Sequence, residues 1–336
     1  MCSLLLVLLP AAAVPAQKAR EDAPRYAQRN DVRAFAADVA IRRGLERSWV
    51  LDQLAQARLR TASQKLMMPA PAGQAKNWAA YRDRFIEPRR ILAGTEFWRD
   101  HADALARAEA RWGVPAEVIV GVIGVETFYG RITGNFRVID ALATLAFDFP
   151  RGRSDRSEFF RAELEEFLVF ASREGLAPTS VQGSFAGAVG WPQFMPGSIN
   201  RWAVDFDGDG RIDLVNSPVD AIGSVANFLA EHGWQAGLQV LYAVTPPADA
   251  AARALLLAPD ILPSFSAEQL ARQGAVLADG GREHTGLLAL VMVENGAGAP
   301  SYFAGTQNFY VITRYNRSSY YALAVIELGR AIQRSR

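Results

Sequence analysis

The chain has 336 residues, half of them hydrophobic, and a formal net charge of +1 at neutral pH. This length allows one large domain or two to three small domains with a buried core. The nearly balanced charge argues against a protein that binds nucleic acid through a basic surface, and against an acidic disordered chain.

The first segment, MCSLLLVLLPAAAVPAQKA, is an apolar run that stops at Ala16. A membrane-spanning helix needs about 20 residues, so the run instead resembles the apolar part of an export signal, with Val14-Pro15-Ala16 as cleavage site. We therefore expect a signal peptide over 1–16 and a periplasmic protein. No Lys or Arg precedes the run, which leaves open an upstream start or an uncleaved N-terminal membrane anchor.

Cys2 is the only cysteine, which excludes an internal disulfide and a thiolate metal site. Its lipidation stays open, although only Met1 precedes it. The chain has no nucleotide-binding loop, no zinc-protease motif and no G-x-S-x-G segment. We expect no organic cofactor.

Helical periodicity alternates with turns over most of the chain. The predicted helices cover 31–60, 96–113, 115–130, 157–175, 220–234 and SYYALAVIELGRAIQ, and Gly113 is a typical C-cap. Between 235 and 310, LQVLYAVTPP, TGLLALVMVEN and NFYVITRYN are typical of short strands. The predicted fold is therefore mainly α (α+β), with a small β insertion late in the chain.

Glu126 interrupts the apolar segment PAEVIVGVIGVETFYG. On a helix it shares a face with Val122, Ile123, Tyr129 and Gly130, so the carboxyl group is predicted to be buried with a raised pKa. A glutamate that stays protonated near neutral pH suits general-acid chemistry on a glycosidic bond. The alternative is a structural glutamate satisfied by a hydrogen bond or an arginine.

Gly121, Gly124 and Gly130 weaken this helix, each by up to about 1 kcal/mol relative to Ala. Three glycines so close together indicate a close backbone approach by a neighbouring segment or by a ligand.

The segment GSFAGAVGWPQFMPGSI, from Gly183 to Ile199, contains too many helix breakers for a core helix. It indicates a backbone that lines a cleft, with Ser184 and Gln193 as polar groups and Phe194 among the aromatic surfaces for sugars. The alternative is an irregular buried connector.

The segment VDFDGDGRIDLVNSPVDAIG opens like a calcium loop. Asp205, Asp207 and Asp209 alternate, and Gly210 follows at the sixth position. Arg211 would supply a backbone carbonyl oxygen. The usual twelfth-position Glu is absent, and Asp220 could close a longer loop. A solvated acidic turn, a sodium site or a vacant site are the alternatives.

The segment TRYNRSSYYALAV places polar aromatic residues at a predicted strand-to-helix junction, which suits carbohydrate contacts. The alternative is a surface turn with Asn316 or Ser318 as the cap of the helix.

Four segments together resemble the lytic murein transglycosylase B family, membrane-bound enzymes that cut bacterial peptidoglycan. They are GVPAEVIVGVIGVETFYGRITGNFRVIDALATLAFDFPR, GSFAGAVGWPQFMP, VDFDGDGRIDL with DAIGSVANFL, and NFYVITRYNRSSYYALAV.

The resemblance implies a lysozyme-like catalytic core, an α domain and a small inserted β domain. The implied boundaries are 17–112 for the α domain, 113–234 for the core with its metal loop, 235–308 for the β domain, 309–328 for the return to the core and 329–336 for the tail.

The resemblance also implies Glu126 as the catalytic residue. The implied cleft residues are Tyr81, Arg151, Ser184, Gln193, Tyr315, Asn316 and Tyr321. The implied metal ligands are Asp205, Asp207, Asp209, the Arg211 carbonyl and Asp220, holding a structural Ca²⁺. Expected partners are peptidoglycan glycan strands and cell-wall enzyme complexes, with no nucleic acid, for a monomeric protein.

Three positions depart from the family pattern. Gly152 follows Arg151 where a second arginine is common, so Arg153 is an alternative contact. Phe228 replaces a tyrosine and removes a hydroxyl group. The metal loop carries one additional residue before Asp220.

The implied reaction cuts the β-1,4 bond between N-acetylmuramic acid and N-acetylglucosamine and forms 1,6-anhydromuramic acid, with Glu126 as the single acid and base. A hydrolytic muramidase would need a second carboxylate, for which Asp140 and Asp148 are nearest in sequence. A catalytically inactive scaffold that binds peptidoglycan or calcium is the other alternative.

Overall fold

A computed structural model describes residues 26–69, 76–278 and 280–336. The predicted signal peptide and Cys2 lie outside these ranges. The chain divides into two compact units, which comprise 76–129 with 222–336, and 26–69 with 130–221, among the described residues. We call them the first and the second unit. The domain boundaries stated above stay predictions.

Helices dominate both units. In chain order the α-helices are α1 Asn30–Arg43, α2 Arg47–Ala55, α3 Thr61–Met67, α4 Trp78–Arg82, α5 Pro88–Asp100, α6 Ala102–Trp112, α7 Ala116–Thr127, α8 Val138–Phe147, α9 Ser157–Arg173, α10 Pro196–Trp202, α11 Pro218–Glu231, α12 Ala250–Leu257, α13 Ala267–Arg272, α14 Gln307–Tyr315 and α15 Ser319–Arg334. The strands are β1 Phe136–Arg137, β2 Gln182–Gly183, β3 Leu241–Thr245, β4 Val276–Leu277, β5 Ala289–Asn295 and β6 Gly298–Gly305. Within the described ranges no helix is both long and apolar enough to cross a membrane.

The helix ends follow the sequence signals. Gly113 ends α6 in the left-handed conformation, with φ of 67°, and its N–H bonds to the Glu109 carbonyl. Pro115 precedes α7, where its missing N–H is not needed. The predicted helix over 31–60 is two helices, because Gly44 ends α1 with φ of 66°.

The first unit carries a four-stranded antiparallel sheet in the order β4-β3-β6-β5. Ala243 of β3 and Val291 of β5 both pair with Phe303 of β6. Leu270 of α13 and Leu288 and Leu290 beside it belong to the buried apolar cluster of this part of the unit. The predicted late β insertion is therefore confirmed, with two short helices packed into it.

The prediction of a strand at NFYVITRYN is wrong, because this segment forms α14. Val311, Ile312 and Thr313 favour a strand by propensity. However, the Thr306 side chain caps the helix by accepting the Asn308 N–H, and Phe309, Val311 and Ile312 are buried together. Tertiary packing with a good cap overrides the local preference, so the junction at Asn316 joins two helices.

Candidate active site

Helices α7 and α15 pack closely in the first unit, and glycines permit that approach. A Cβ atom on Gly121 of α7 would lie 2.3 Å from the Val325 carbonyl oxygen of α15. A Cβ atom on Gly329 of α15 would lie 2.1 Å from the Glu117 carbonyl oxygen. The predicted backbone approach at Gly121 is therefore made by a neighbouring helix.

Glu126 lies in the last turn of α7 and is only 6% exposed. Phe128 and Tyr129, which follow, have left-handed φ angles of 53° and 56°. Non-glycine residues adopt this conformation only when their surroundings hold them, so α7 ends sharply just after the carboxyl group.

Tyr321 of α15 donates a hydrogen bond of 2.6 Å from its hydroxyl to Oε1 of Glu126. Burial raises the pKa of Glu126 to about 7, and the Tyr321 hydrogen bond partly opposes this rise. The group is thus poised to hold and release a proton near neutral pH. Because Tyr321 occupies Oε1, the acidic proton belongs on Oε2.

Two further tyrosines adjoin this pair. The Tyr315 ring stacks on Tyr321 with centroids 6.3 Å apart, and Phe228 packs edge-on against Tyr315 at 4.8 Å. Burial and the nearby Glu126 charge raise the pKa values of Tyr315 and Tyr321. Both therefore stay neutral hydroxyl groups over the whole range in which Glu126 titrates.

Tyr81 belongs to the same unit and lies near the charge of Glu126. Burial raises the pKa of Tyr81, and the negative charge of Glu126 raises it further. Its ring packs against Trp78, Phe85 and Tyr320 at 5.2–6.2 Å between centroids. The structure thus brings the side chains of Glu126, Tyr81, Tyr315 and Tyr321 together in the first unit.

The other buried carboxylates of the described residues are differently engaged. Asp140 accepts from Arg58 N–H and Arg60 Nε, each at 3.0 Å. Glu165 binds Arg42 and Arg43. Glu163 and Asp220 accept backbone N–H groups. Among the described residues, Glu126 instead accepts one hydrogen bond, from the neutral Tyr321 hydroxyl, and has no cation partner.

Asp148, the other acid considered for a second catalytic carboxylate, is also paired. It accepts hydrogen bonds from the Tyr26 hydroxyl at 2.9 Å and from Arg29 Nη1 at 2.8 Å. Both acids of the hydrolytic alternative, Asp140 and Asp148, are therefore held in ion pairs of the second unit.

Ser184 shapes the glycine-rich loop of the second unit. Its buried hydroxyl oxygen accepts the N–H groups of Ala186 and Ala188, at 3.3 and 3.0 Å. These bonds use the oxygen as an acceptor and leave its O–H proton to be donated. Ser184 can thus present a hydrogen-bond donor while it fixes the loop.

Gln193 has a φ of 52°, and its Nε2 donates to the carbonyl oxygens of Thr133 and Gly190. Its Oε1 remains as an acceptor. Phe194 is only 2% exposed, and its backbone pairs with Val189. Its role as a sugar-stacking surface stays a prediction.

The remaining predicted cleft residues differ in their surroundings. Arg151 is exposed, whereas Arg153 donates to the Met67 carbonyl oxygen. Asn316 has a buried Oδ1 with no hydrogen-bond partner among the described residues. Ser318, and not Asn316, caps α15 by accepting the Tyr321 N–H. The roles of Arg151 and Asn316 toward substrate stay predictions.

Carboxylate oxygens of Asp205, Asp207 and Asp209 lie within 4.8 Å of one another, as a shared cation requires. The loop already has a defined shape, because Asp205 accepts the N–H groups of Gly208 and Gly210 at 2.7 and 2.8 Å. Clustered oxygen donors of this kind suit Ca²⁺, so these three residues fit the predicted ion.

Asp220 plays a different part in this structure. Its buried carboxylate accepts the N–H groups of Phe206, Asp207 and Asp213. It therefore braces the loop from inside α11, and its direct ligation of a metal stays a prediction, as does that of the Arg211 carbonyl. Ser217 was not predicted as part of this site, and its hydroxyl donates to Asp207 at 2.7 Å. The additional residue of the loop, which lies in this same stretch before Asp220, could have drawn attention to Ser217.

The chain is similar to known lytic transglycosylases. A family model described as transglycosylase SLT domain matches residues 27–330. The membrane-bound lytic murein transglycosylase B of Escherichia coli K12 is 40% identical over 321 residues, which cover 93% of this chain and 85% of that protein.

Two solved structures are similar throughout. The Escherichia coli lytic transglycosylase Slt35 in complex with calcium has a TM-score of 0.79 and 40% identity, covering 93% of both chains. SltB3 from Pseudomonas aeruginosa in complex with NAG-anhNAM-pentapeptide has a TM-score of 0.76 and 30% identity, covering 93% of this chain and 80% of that one. The mainly α, lysozyme-like fold predicted from the sequence is confirmed, and the chain belongs to the transglycosylase SLT domain family.

Proposed function

We propose that this protein is a lytic murein transglycosylase, a glycosidic-bond-cleaving lyase that acts on peptidoglycan with Glu126 as its single general acid and base. The observation that carries the proposal is the buried Glu126 carboxyl group, whose pKa of about 7 and hydrogen bond from the neutral Tyr321 hydroxyl suit proton donation. The family membership supports the reaction class.

In the first step, Glu126 gives the proton on Oε2 to the glycosidic oxygen while the bond from that oxygen to C1 of N-acetylmuramic acid breaks. The substrate's acetamido group stabilises the positive charge at C1. The carboxylate that forms keeps the Tyr321 hydrogen bond, which strengthens once its acceptor is charged.

In the second step, ionised Glu126 takes the proton from the muramic acid C6 hydroxyl, and O6 bonds to C1. The product is a 1,6-anhydro ring, Glu126 is again protonated, and no water is consumed. We infer that Ser184 and Gln193 orient the acetamido group or the glutamate. Tyr81, Tyr315 and Tyr321 would contact sugar rings, and Arg151 and Asn316 would bind polar groups of the substrate.

Digestion of purified sacculi tests this proposal. We expect mass spectrometry to find muropeptides that end in 1,6-anhydromuramic acid, because the C6 hydroxyl and not water attacks C1. Digestion in ¹⁸O-labelled water should leave the products unlabelled. Reducing muramic ends that carry ¹⁸O would instead establish a hydrolase, and bound sacculi with no released muropeptide would establish a scaffold.

We further propose that Asp205, Asp207 and Asp209 hold a Ca²⁺ ion together with the Arg211 carbonyl and Asp220. The relative solved in complex with calcium supports this choice of ion. A bound Ca²⁺ would neutralise the clustered carboxylates and stabilise the loop, and it has no step in the glycosidic reaction.

Metal removal tests the calcium site. With Ca²⁺ at 100 times its dissociation constant, we expect a melting temperature roughly 5 °C above that in EDTA. Asp209→Asn should lose this calcium-dependent increment while it melts like the wild type in EDTA. An increment that survives in Asp209→Asn would place the ion elsewhere, and equal melting with and without Ca²⁺ would contradict an occupied site.

The expected location is the periplasm, where peptidoglycan glycan strands are the substrate. The membrane-bound relative supports a wall-facing location. Membrane association through the N-terminus, contacts with cell-wall enzyme complexes and a monomeric state belong to the proposal as predictions.

A further inference from the structure

Arg90 of α5 is a buried arginine, only 7% exposed, in the first unit. No carboxylate of the described residues forms an ion pair with it, and its Nε has no hydrogen-bond partner among them. Burial accordingly lowers the pKa of Arg90. A buried cation with no ion-pair partner is costly to the fold, so its contacts should offset that cost.

Those contacts converge on the end of α7. Arg90 Nη1 donates a hydrogen bond of 2.6 Å to the Gly124 carbonyl oxygen. The same oxygen accepts the Phe128 N–H at 3.1 Å, which is the bond that ends the helix. The guanidinium also lies 4.5 Å from the centre of the Phe128 ring. Arg90 therefore holds both partners of this terminal hydrogen bond.

Glu126 lies between these two partners in the chain. The carbonyl end of a helix carries partial negative charge, which a cation stabilises. The left-handed Phe128 requires support from outside the helix, and the cation above its ring supplies a contact specific to that conformation. Without Arg90, the turn that contains Glu126 loses the hydrogen bond to its Gly124 carbonyl oxygen and the cation above the Phe128 ring.

We propose that Arg90 is a positioning residue for Glu126, which fastens the last turn of α7 so that the carboxyl group stays buried beside Tyr321. Its effect on the rate rests on the proposed function, whereas its effect on the burial of the carboxyl group does not. The sequence alone could have indicated a buried arginine, since Arg90 lies on the apolar face of α5 with Ala93 and Phe97.

The test compares Arg90→Met with Arg89→Met, a matched substitution at the exposed neighbouring position on α5. Displacement of a reacting group by about 1 Å costs on the order of 100-fold in rate. We therefore expect Arg90→Met to lower kcat by 10- to 100-fold (order of magnitude) with KM nearly unchanged. Arg89→Met should match the wild type, and Arg90→Lys should restore part of kcat, because it keeps the charge and one donor.

A second readout does not depend on activity. The titration of the Glu126 carboxyl group can be followed by infrared difference spectra against Glu126→Gln. The groups that face Glu126 are Tyr81, Tyr315 and Tyr321, and those that face Arg90 are Glu87 and Tyr129. We expect Arg90→Met to admit water and to move the Glu126 titration from near 7 toward its usual lower value.

The two readouts separate the outcomes. A shifted titration in Arg90→Met supports the positioning role even if the wild type releases no anhydromuropeptide, in which case only the proposed function fails. An unchanged titration with wild-type kcat overturns the positioning role. A kcat loss that merely follows a lower folded fraction, or that Arg89→Met shares, also overturns it. If Arg90→Met does not fold, Arg90→Lys carries both measurements.

Discussion

Replacing Glu126 by Gln is expected to lower kcat for sacculus cleavage by on the order of 10³-fold, because the variant has no proton to give or accept. Gln keeps the shape of the side chain and an oxygen that can accept the Tyr321 hydrogen bond. Binding to sacculi should therefore persist. The measurement is the initial rate of muropeptide release, with the bound fraction determined by pelleting the sacculi.

Glu117→Gln is the matched control, since Glu117 lies on the same helix, nine positions earlier. We expect it to retain wild-type activity. In the wild type, kcat/KM should fall as the pH rises through about 7, because the free enzyme needs protonated Glu126. A Glu126→Gln variant that retains a substantial rate would show that another group is the acid.

The same substitution should change how stability depends on pH. The pKa of Glu126 is raised from 4.5 to about 7 on folding, so the folded state binds more protons between these values. Its contribution is thus fully present below pH 4.5 and is lost as the pH rises through about 7. Relative to the wild type, Glu126→Gln should become more stable by roughly 3 kcal/mol over this interval, as measured by urea unfolding.

Gly121→Ala is expected to destabilise the protein by about 2 kcal/mol. The added methyl group would lie 2.3 Å from the Val325 carbonyl oxygen, which is backbone and cannot rotate away. Overpacking of this kind costs about 1–3 kcal/mol or more, and exceeds the gain of up to about 1 kcal/mol in helix propensity. Because α7 must move away from α15, cleavage activity should fall as well.

Gly94→Ala provides the comparison for this prediction. Its new methyl group would meet the side chains of Ile332 and Tyr129, not backbone atoms. The same propensity gain applies, so the unfolding free energy of Gly94→Ala should exceed that of Gly121→Ala. Equal unfolding free energies, or a Gly121→Ala variant as stable as the wild type, would contradict the close backbone contact.

The sequence predicted the structure best where several independent signals favoured the same local structure. Apolar neighbours on every side of Glu126 predicted a buried carboxyl group, and burial predicted its raised pKa. Gly113 predicted the end of α6, and Pro115 predicted the start of α7. Alternating aspartates predicted the oxygen cluster of the metal loop.

Other features depend on contacts between distant residues, which no local pattern reports. The helical state of α14 follows from a Thr306 cap and from the burial of Phe309. The strand β6 and the helices α12 and α13 were not predicted, although Ser266 and Gln269 form a capping box at the start of α13. The donor left on Ser184 and the bracing role of Asp220 appear only when hydrogen-bond partners are known.

The hydrogen bond of the proposed general acid joins two residues 195 positions apart, Glu126 and Tyr321. At roughly 5–20 residues per second, a ribosome needs on the order of 10–40 s to pass from one to the other. During that time α7, nearly all of whose side chains are buried in the finished protein, lacks the helix that covers it. The general-acid site is therefore assembled only after Tyr321 has been synthesised and α15 has packed against α7.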